Sequence, residues 1–385
     1  MNIVYARSIL NGELRWMNDL GGRVSWESRY KNHKEDILIQ DGMVFTPMHK
    51  NGPTLVALDA TTGQLKWSYG PIAAATEQEA LTRFLSAPAG GPGMIYAGYI
   101  EDNMRGGTHI DSEYGIIAFE STTGRIEWRK PVCTLRPGKF ASLEFDKGTR
   151  NRIRSFASPP VFYEGTIYYG SNAGSIAALD ALSGRIKWLT KYPYLSWPND
   201  VHDATRQFGK VAWSDGKRIH PAGIGLWLNH APLVVGNALY VLPVDSKCMF
   251  KVDRRTGKIV WSRIRPDFEV SRGGGRLVHF MGPIRSGELL FVFSNRGSNG
   301  GICLVNPNTG KTVWWSKDPV AKETKHPSIY LTSKWSHVTG IGFQPWTATV
   351  ALNNKPFQVT ARPFLTRDDK LYVSSIDRVL EVVGI

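Results

Sequence analysis

Residues Thr54–Tyr69 read TLVALDATTGQLKWSY. An alternating apolar run meets Asp59, a turn closes at Gly63, and a second short run reaches Trp67 four residues later. Alternation over a few residues marks a half-buried strand. Thr-Thr-Gly makes a tight turn, in which glycine supplies a positive φ without steric cost. The x-Leu-x-Trp that follows reads as a second strand of period two, with Leu65 and Trp67 on one face. One such unit is a hairpin; its recurrence decides the fold.

It recurs as GIIAFESTTGRIEWRK, SIAALDALSGRIKWLT, CMFKVDRRTGKIVWSR and GICLVNPNTGKTVWWS, and in weaker form as IVYARSILNGELRW at the start. Each copy sets a glycine four residues before a tryptophan: Gly12/Trp16, Gly63/Trp67, Gly124/Trp128, Gly184/Trp188, Gly257/Trp261 and Gly310/Trp314. Self-similarity at a period of roughly 60 residues signals a repeat architecture. A buried aromatic removes about 150–250 Å² from water, so the tryptophans read as anchors between neighbouring units.

A second hairpin precedes most copies. Pro88, Pro160, Pro232 and Pro283 each stand eight residues before an aromatic, at Tyr96, Tyr168, Tyr240 and Phe291. Proline suits the first residue of a strand, where its missing N–H does no harm. Each unit then holds four short strands, and four antiparallel strands repeated along a chain make an all-β β-propeller. Six blades are expected, with seven or eight as alternatives. The N-terminal unit lacks a proline hairpin and the C-terminal Pro363 hairpin lacks a Gly–Trp unit, so the two ends are expected to share a blade and close the ring. The reading is one propeller domain over residues 1–385, with inserted loops at about 99–114, 189–230 and 316–360.

Composition narrows function less. Forty-seven Lys and Arg oppose 33 Asp and Glu, a net charge of +14. That balance suits nucleic acid, anionic lipid or an acidic protein. The charge is dispersed, however, and its densest pieces (Arg150, Arg152 and Arg154; Arg272 and Arg276) accompany no nucleic-acid module. No run of about 18 apolar residues exists, so no membrane span is expected. The first residues have no apolar signal core, which fits a cytosolic or a processed chain. Cys133, Cys248 and Cys303 sit at unrelated spacings and define no disulfide framework.

ALDATTGQLKW, AFESTTGRIEW and ALDALSGRIKW resemble the pyrroloquinoline-quinone-like propeller repeat, and the resemblance covers nearly the whole chain. That family implies the fold but not one activity. It includes quinoprotein alcohol dehydrogenases and a non-enzymatic lipoprotein propeller of outer-membrane protein assembly, and this chain resembles the latter more. The enzymes hold a calcium-bound quinone with a catalytic Asp, Glu and Asn ligands, a stacking Trp and, in many, adjacent cysteines. This sequence has no adjacent cysteine pair and no Cys-x-x-Cys-His, and no catalytic residue carries over.

Other motifs read as structure. NTGKT at Asn308–Thr312 ends like a phosphate loop, but Val305 stands where the loop needs glycine. His202, His220 and His230, with Asp200 and Asp203, match no metal spacing and read as part of an inserted loop. Residues just before each first strand should line a channel mouth. They include Glu35, Asp36, His230 and Arg362, a polar set able to bind a small molecule. Together these features point to a non-catalytic interaction scaffold with a protein partner and no resident cofactor. The resemblance places it in the periplasm or otherwise outside the cytoplasm. The alternatives are a quinone- and calcium-dependent oxidoreductase and, third, a basic polyanion binder.

Overall fold

The structure is a computed structural model. It describes residues 3–8, 10–20, 37–48, 54–71, 74, 76–77, 81–84, 86–105, 108–135, 158–192, 212–214, 217–219, 231–243, 246, 248–264, 276–283, 289–295, 298–315, 330–333, 347–352, 355–360, 365–367, 370–374 and 379–383. The chain divides into two compact units. The first is Met1–Trp213 with the turn Arg254–Lys258; the second is Ser214–Asp253 with Ile259–Ile385.

In the first unit, Leu38–Gln40, Met43–Met48, Thr54–Asp59 and Leu65–Tyr69 pair in that order as one antiparallel sheet. Val161–Tyr163, Thr166–Gly170, Ser175–Asp180 and Ile186–Lys191 form a second sheet of the same design. Between them in sequence lies a larger blade of Ala89–Gly91, Met94–Arg105, Thr108–Glu120 and Ile126–Leu135, with Thr82–Phe84 added beside Met94–Arg105. Ile3–Arg7 and Leu14–Asp19 make an N-terminal hairpin. Three proline hairpins lie where the sequence puts them: strands begin at Ala89, Val161 and Leu233, one residue after Pro88, Pro160 and Pro232, whereas Pro283 ends the strand Arg276–Pro283 instead of opening one.

The second unit repeats the pattern in Leu233–Val235, Ala238–Val241, Cys248–Asp253 and Ile259–Ile264. Arg276–Pro283, Leu289–Asn295, Ser298–Val305 and Thr312–Trp315 follow. Leu365–Arg367, Lys370–Ser374 and Val379–Val383 form a three-stranded C-terminal sheet.

All three expected loops carry strands, the 189–230 segment holding Ala212–Ser214 and Lys217–Ile219. Residues 99–114 are not a loop but the outer part of the hairpin Met94–Arg105/Thr108–Glu120, whose strands run past the usual blade length. Within 316–360, Tyr330–Ser333, Thr347–Leu352 and Lys355–Thr360 pair antiparallel, and Tyr330–Ser333 joins Ser298–Val305 at Leu331 opposite Gly300.

The repeat turns explain their own residues. Asp59 accepts the amides of Thr61 and Thr62, Asp180 that of Ser183, and Asn306 those of Asn308 and Thr309, so the side chain closes the turn that Gly63, Gly184 or Gly310 completes. A register shift follows in each unit, as between Ala57 and Leu58 or Ala118 and Phe119. Leu65 and Ile126 are exposed beside half-buried Trp67 and Trp128, whereas Ile186 and Ile259 are half-buried on the side of Trp188 and Trp261.

Each described tryptophan reaches the next repeat. Trp16, Trp67, Trp128 and Trp188 donate their indole N–H to the carbonyls of Ala60, Ser121, Ala181 and Arg254 at 2.9–3.0 Å, and Trp261 to Pro307 at 3.1 Å. Every acceptor stands three residues before the repeat glycine. The ring lies on that glycine: a Cβ added to Gly124 or Gly184 would stand 2.6 Å from Trp67 or Trp128. These glycines therefore meet two demands, a φ near +70° and a bare face against an indole. The aromatic of the proline hairpin backs the tryptophan of its own unit, with centroids 5.9 Å apart for Tyr96–Trp128 and 6.0 Å for Tyr240–Trp261.

Candidate functional site

Antiparallel order gives each blade two unlike ends. One carries only tight turns, and backbone bonds tie them together: Ala60 N to Gly42 O, Ser121 N to Gly93 O and Ala181 N to Gly165 O. The opposite end carries the link between second and third strands and the passage to the next blade. All long connections of the first unit leave from there, and functional residues concentrate on loops held by rigid scaffolds.

At that end the long hairpin holds a polar network. Register sets Glu101 directly opposite Glu113, with Thr82 on the other side of Glu101. Like charges facing each other across a ladder repel. The Arg129 guanidinium offsets this: it pairs with Glu101, lies 3.5 Å from Glu113 and donates to the Thr82 hydroxyl at 3.1 Å. Arg129 also sits over the Tyr99 ring, 4.1 Å from its centroid, a favourable position for a cation. The Tyr99 hydroxyl donates to Glu113 Oε1 at 2.5 Å, the length of a charge-assisted O–H···O⁻ bond.

Burial, then the bond to Glu113, pushes the Tyr99 phenol far above its ordinary range. Tyr99 is fully buried, whereas Glu113 reaches solvent with 28% of its side-chain surface. Two carboxylates against one guanidinium leave this network with one uncompensated negative charge. Beside it, Tyr114 and Tyr169 are buried and Cys133 is half-buried, its Sγ 4.0 Å from the Ala173 carbonyl. The Tyr169 hydroxyl has no hydrogen-bond partner among the described residues.

The channel-mouth candidates Glu35, Asp36, His230 and Arg362 lie outside the described residues, as do His202 and His220. The aligned positions whose side chains are described carry Ser86, Ala87 and Ser158, which are buried, and Pro159 and Ala231, which are half-buried. The side chain of Trp314 is likewise outside the described set. Among the described residues no three His, Cys, Asp or Glu side chains converge to hold a metal. No helix of the described residues is long and apolar enough to cross a membrane. Sequence reasoning missed Tyr99, Glu101, Glu113 and Arg129. Its available signal was the pair Gly106-Gly107, a turn-forming dipeptide.

Four-stranded antiparallel blades joined by Gly–Trp units define a pyrroloquinoline-quinone-like β-propeller protein. The chain belongs to the family described as outer membrane protein assembly factor BamB, whose model matches residues 2–208 and 116–328. A solved structure of BamB from Moraxella catarrhalis has the same fold, with a TM-score of 0.51 and 13% identity over 98% of this chain and 90% of that one. A europium-containing methanol dehydrogenase aligns with a TM-score of 0.49 and 11% identity, over 97% of this chain and 78% of that one. Among curated proteins, a polyvinylalcohol dehydrogenase from Pseudomonas sp is 22% identical over 76% of this chain. The chain spans 46% of that relative's length.

Proposed function

We propose that this chain is a non-catalytic propeller that presents the loop-bearing ends of its blades to a protein partner, within an assembly outside the cytoplasm. The observation that carries this reading is the hairpin Met94–Arg105/Thr108–Glu120. It is the one described blade element of the first unit that runs to about twice the ordinary strand length, and it does so at the end where the long connections gather. The network of Arg129, Glu101 and Glu113 braces its base, which keeps a protruding ribbon ordered at low entropic cost on binding. Membership in a family described as an outer membrane protein assembly factor supports the same reading, for both the partner and the location.

The test shortens the hairpin by joining Asp102 to Ser112, its partner across the ladder, through an Asn-Gly turn. Expected is an unchanged melting midpoint with loss of the protein that co-purifies with the chain from its native host. A shortened chain that keeps its partner overturns the assignment of the hairpin.

The likeness to polyvinylalcohol dehydrogenase favours a second reading, a quinone- and calcium-dependent oxidoreductase. A ligand that binds only the folded state at 100 times its Kd adds about 2.7 kcal/mol of stability. Pyrroloquinoline quinone with calcium should then raise the melting midpoint by several degrees; no shift under saturating ligand removes this reading.

A further inference from the structure

The buried Tyr99 hydroxyl has a carboxylate, Glu113, in place to take its proton. Its ring is fully buried in a core with Phe84 and Phe119. Those rings continue a line of aromatics toward the turn end of the blades: Phe84–Phe119 at 6.2 Å, Tyr69–Phe119 at 5.3 Å and Trp67–Phe119 at 5.6 Å between centroids. Trp67 is half-buried at that end. Tyr169, equally buried, has no acceptor for its hydroxyl among the described residues.

We propose that Tyr99 is a redox-active tyrosine, the terminus of an electron-hole path that starts at Trp67, with Glu113 as its proton acceptor. The oxidant is a one-electron acceptor at the protein surface, such as a high-potential metal complex. It takes one electron from the Trp67 indole, and Tyr99 refills Trp67 through the intervening rings. The Tyr99 O–H bond breaks, its proton passes to Glu113 Oε1, and the products are a neutral tyrosyl radical, a protonated Glu113 and the oxidant reduced by one electron.

Electrostatics favour this site. Before the step, Glu101, Glu113 and Arg129 together carry a net charge of −1. Afterwards Glu101 and Arg129 balance. A tyrosine oxidised without an acceptor would leave a positive charge in an apolar core, which is costly. The 2.5 Å hydrogen bond lets the proton move without rearrangement, and Glu113 reaches solvent for later exchange.

The experiment generates ruthenium(III) tris(bipyridine) photochemically in the presence of the full chain. Transient absorption and electron paramagnetic resonance then follow the radical. Expected is a long-lived neutral tyrosyl signal that is absent in Tyr99→Phe and unaltered in Tyr169→Phe. In Glu113→Gln its formation is slowed about tenfold or more, a loss of at least one factor of ten in rate. Trp67→Phe should delay the signal. Circular dichroism establishes that each variant is folded, and if Tyr99→Phe is not, Glu113→Gln decides. A tyrosyl signal that survives in folded Tyr99→Phe, or one that forms at the wild-type rate in Glu113→Gln, overturns the proposal.

Discussion

At Gly124 a single missing methyl group separates two physical demands. Its φ of +75° alone costs an L-residue about 1–2 kcal/mol, and an added Cβ would also press to 2.6 Å from the Trp67 ring. Gly93 has a φ of +65° but nothing within 4 Å of that Cβ. Gly124→Ala should therefore destabilise the chain by at least about 1 kcal/mol more than Gly93→Ala, since overpacking adds to backbone strain. Equal losses in denaturant titrations would mean that the indole does not rest on the glycine. Carboxylates in the turns make a second claim at this scale. The Thr123 hydroxyl, with further donors on Thr122 and Thr123, holds the Glu120 carboxyl down to about 2. The hydrogen bonds from Ser183 lower Asp180 in the same direction. A carboxyl lowered by folding stabilises the native state above its unfolded pKa, and that contribution disappears as pH falls toward the folded value. Glu120→Gln should flatten the decline in melting midpoint between neutral pH and strong acid. Parallel curves for the variant and wild type would refute this role.

At the scale of the element, the long hairpin depends on one cation. Arg129→Met removes the counter-ion from two directly opposed glutamates and should cost about 2 kcal/mol or more, as breaking a partly buried ion pair does. Adding Glu101→Gln to Arg129→Met should recover part of that loss, and a double variant no more stable than the single one would contradict the pairing. This element also shows where sequence reasoning stops. The repeat itself was legible, because Gly-to-Trp spacing and period-two alternation are local. Counting outward from Gly106-Gly107 would set Glu101 against Ser112. A register shift between His109 and Asp111 moves it to Glu113 instead, and nothing in the residues announces that extra step. The arrival of Arg129 from the neighbouring strand is equally nonlocal. For the tryptophans, packing was readable from residue type, while their partners were not: a carbonyl 44 to 66 residues away and the bare face of the next glycine.

Across the whole molecule, stability in a repeat chain is a sum of unit terms and nearest-neighbour terms. Each described tryptophan supplies such a neighbour term, which ties the order of the units to their stability. The dispersed charge of +14 sets solubility and long-range attraction rather than the fold. What the ordered blades carry at their loop-bearing ends sets the function, and the central claim is that a protein occupies them. Native mass spectrometry of the chain purified from its own source tests this most directly. The account predicts a species heavier than 42.9 kDa by the mass of a whole protein, lost on mild dissociation. An increment the size of a quinone and a metal ion, with no protein attached, would contradict it.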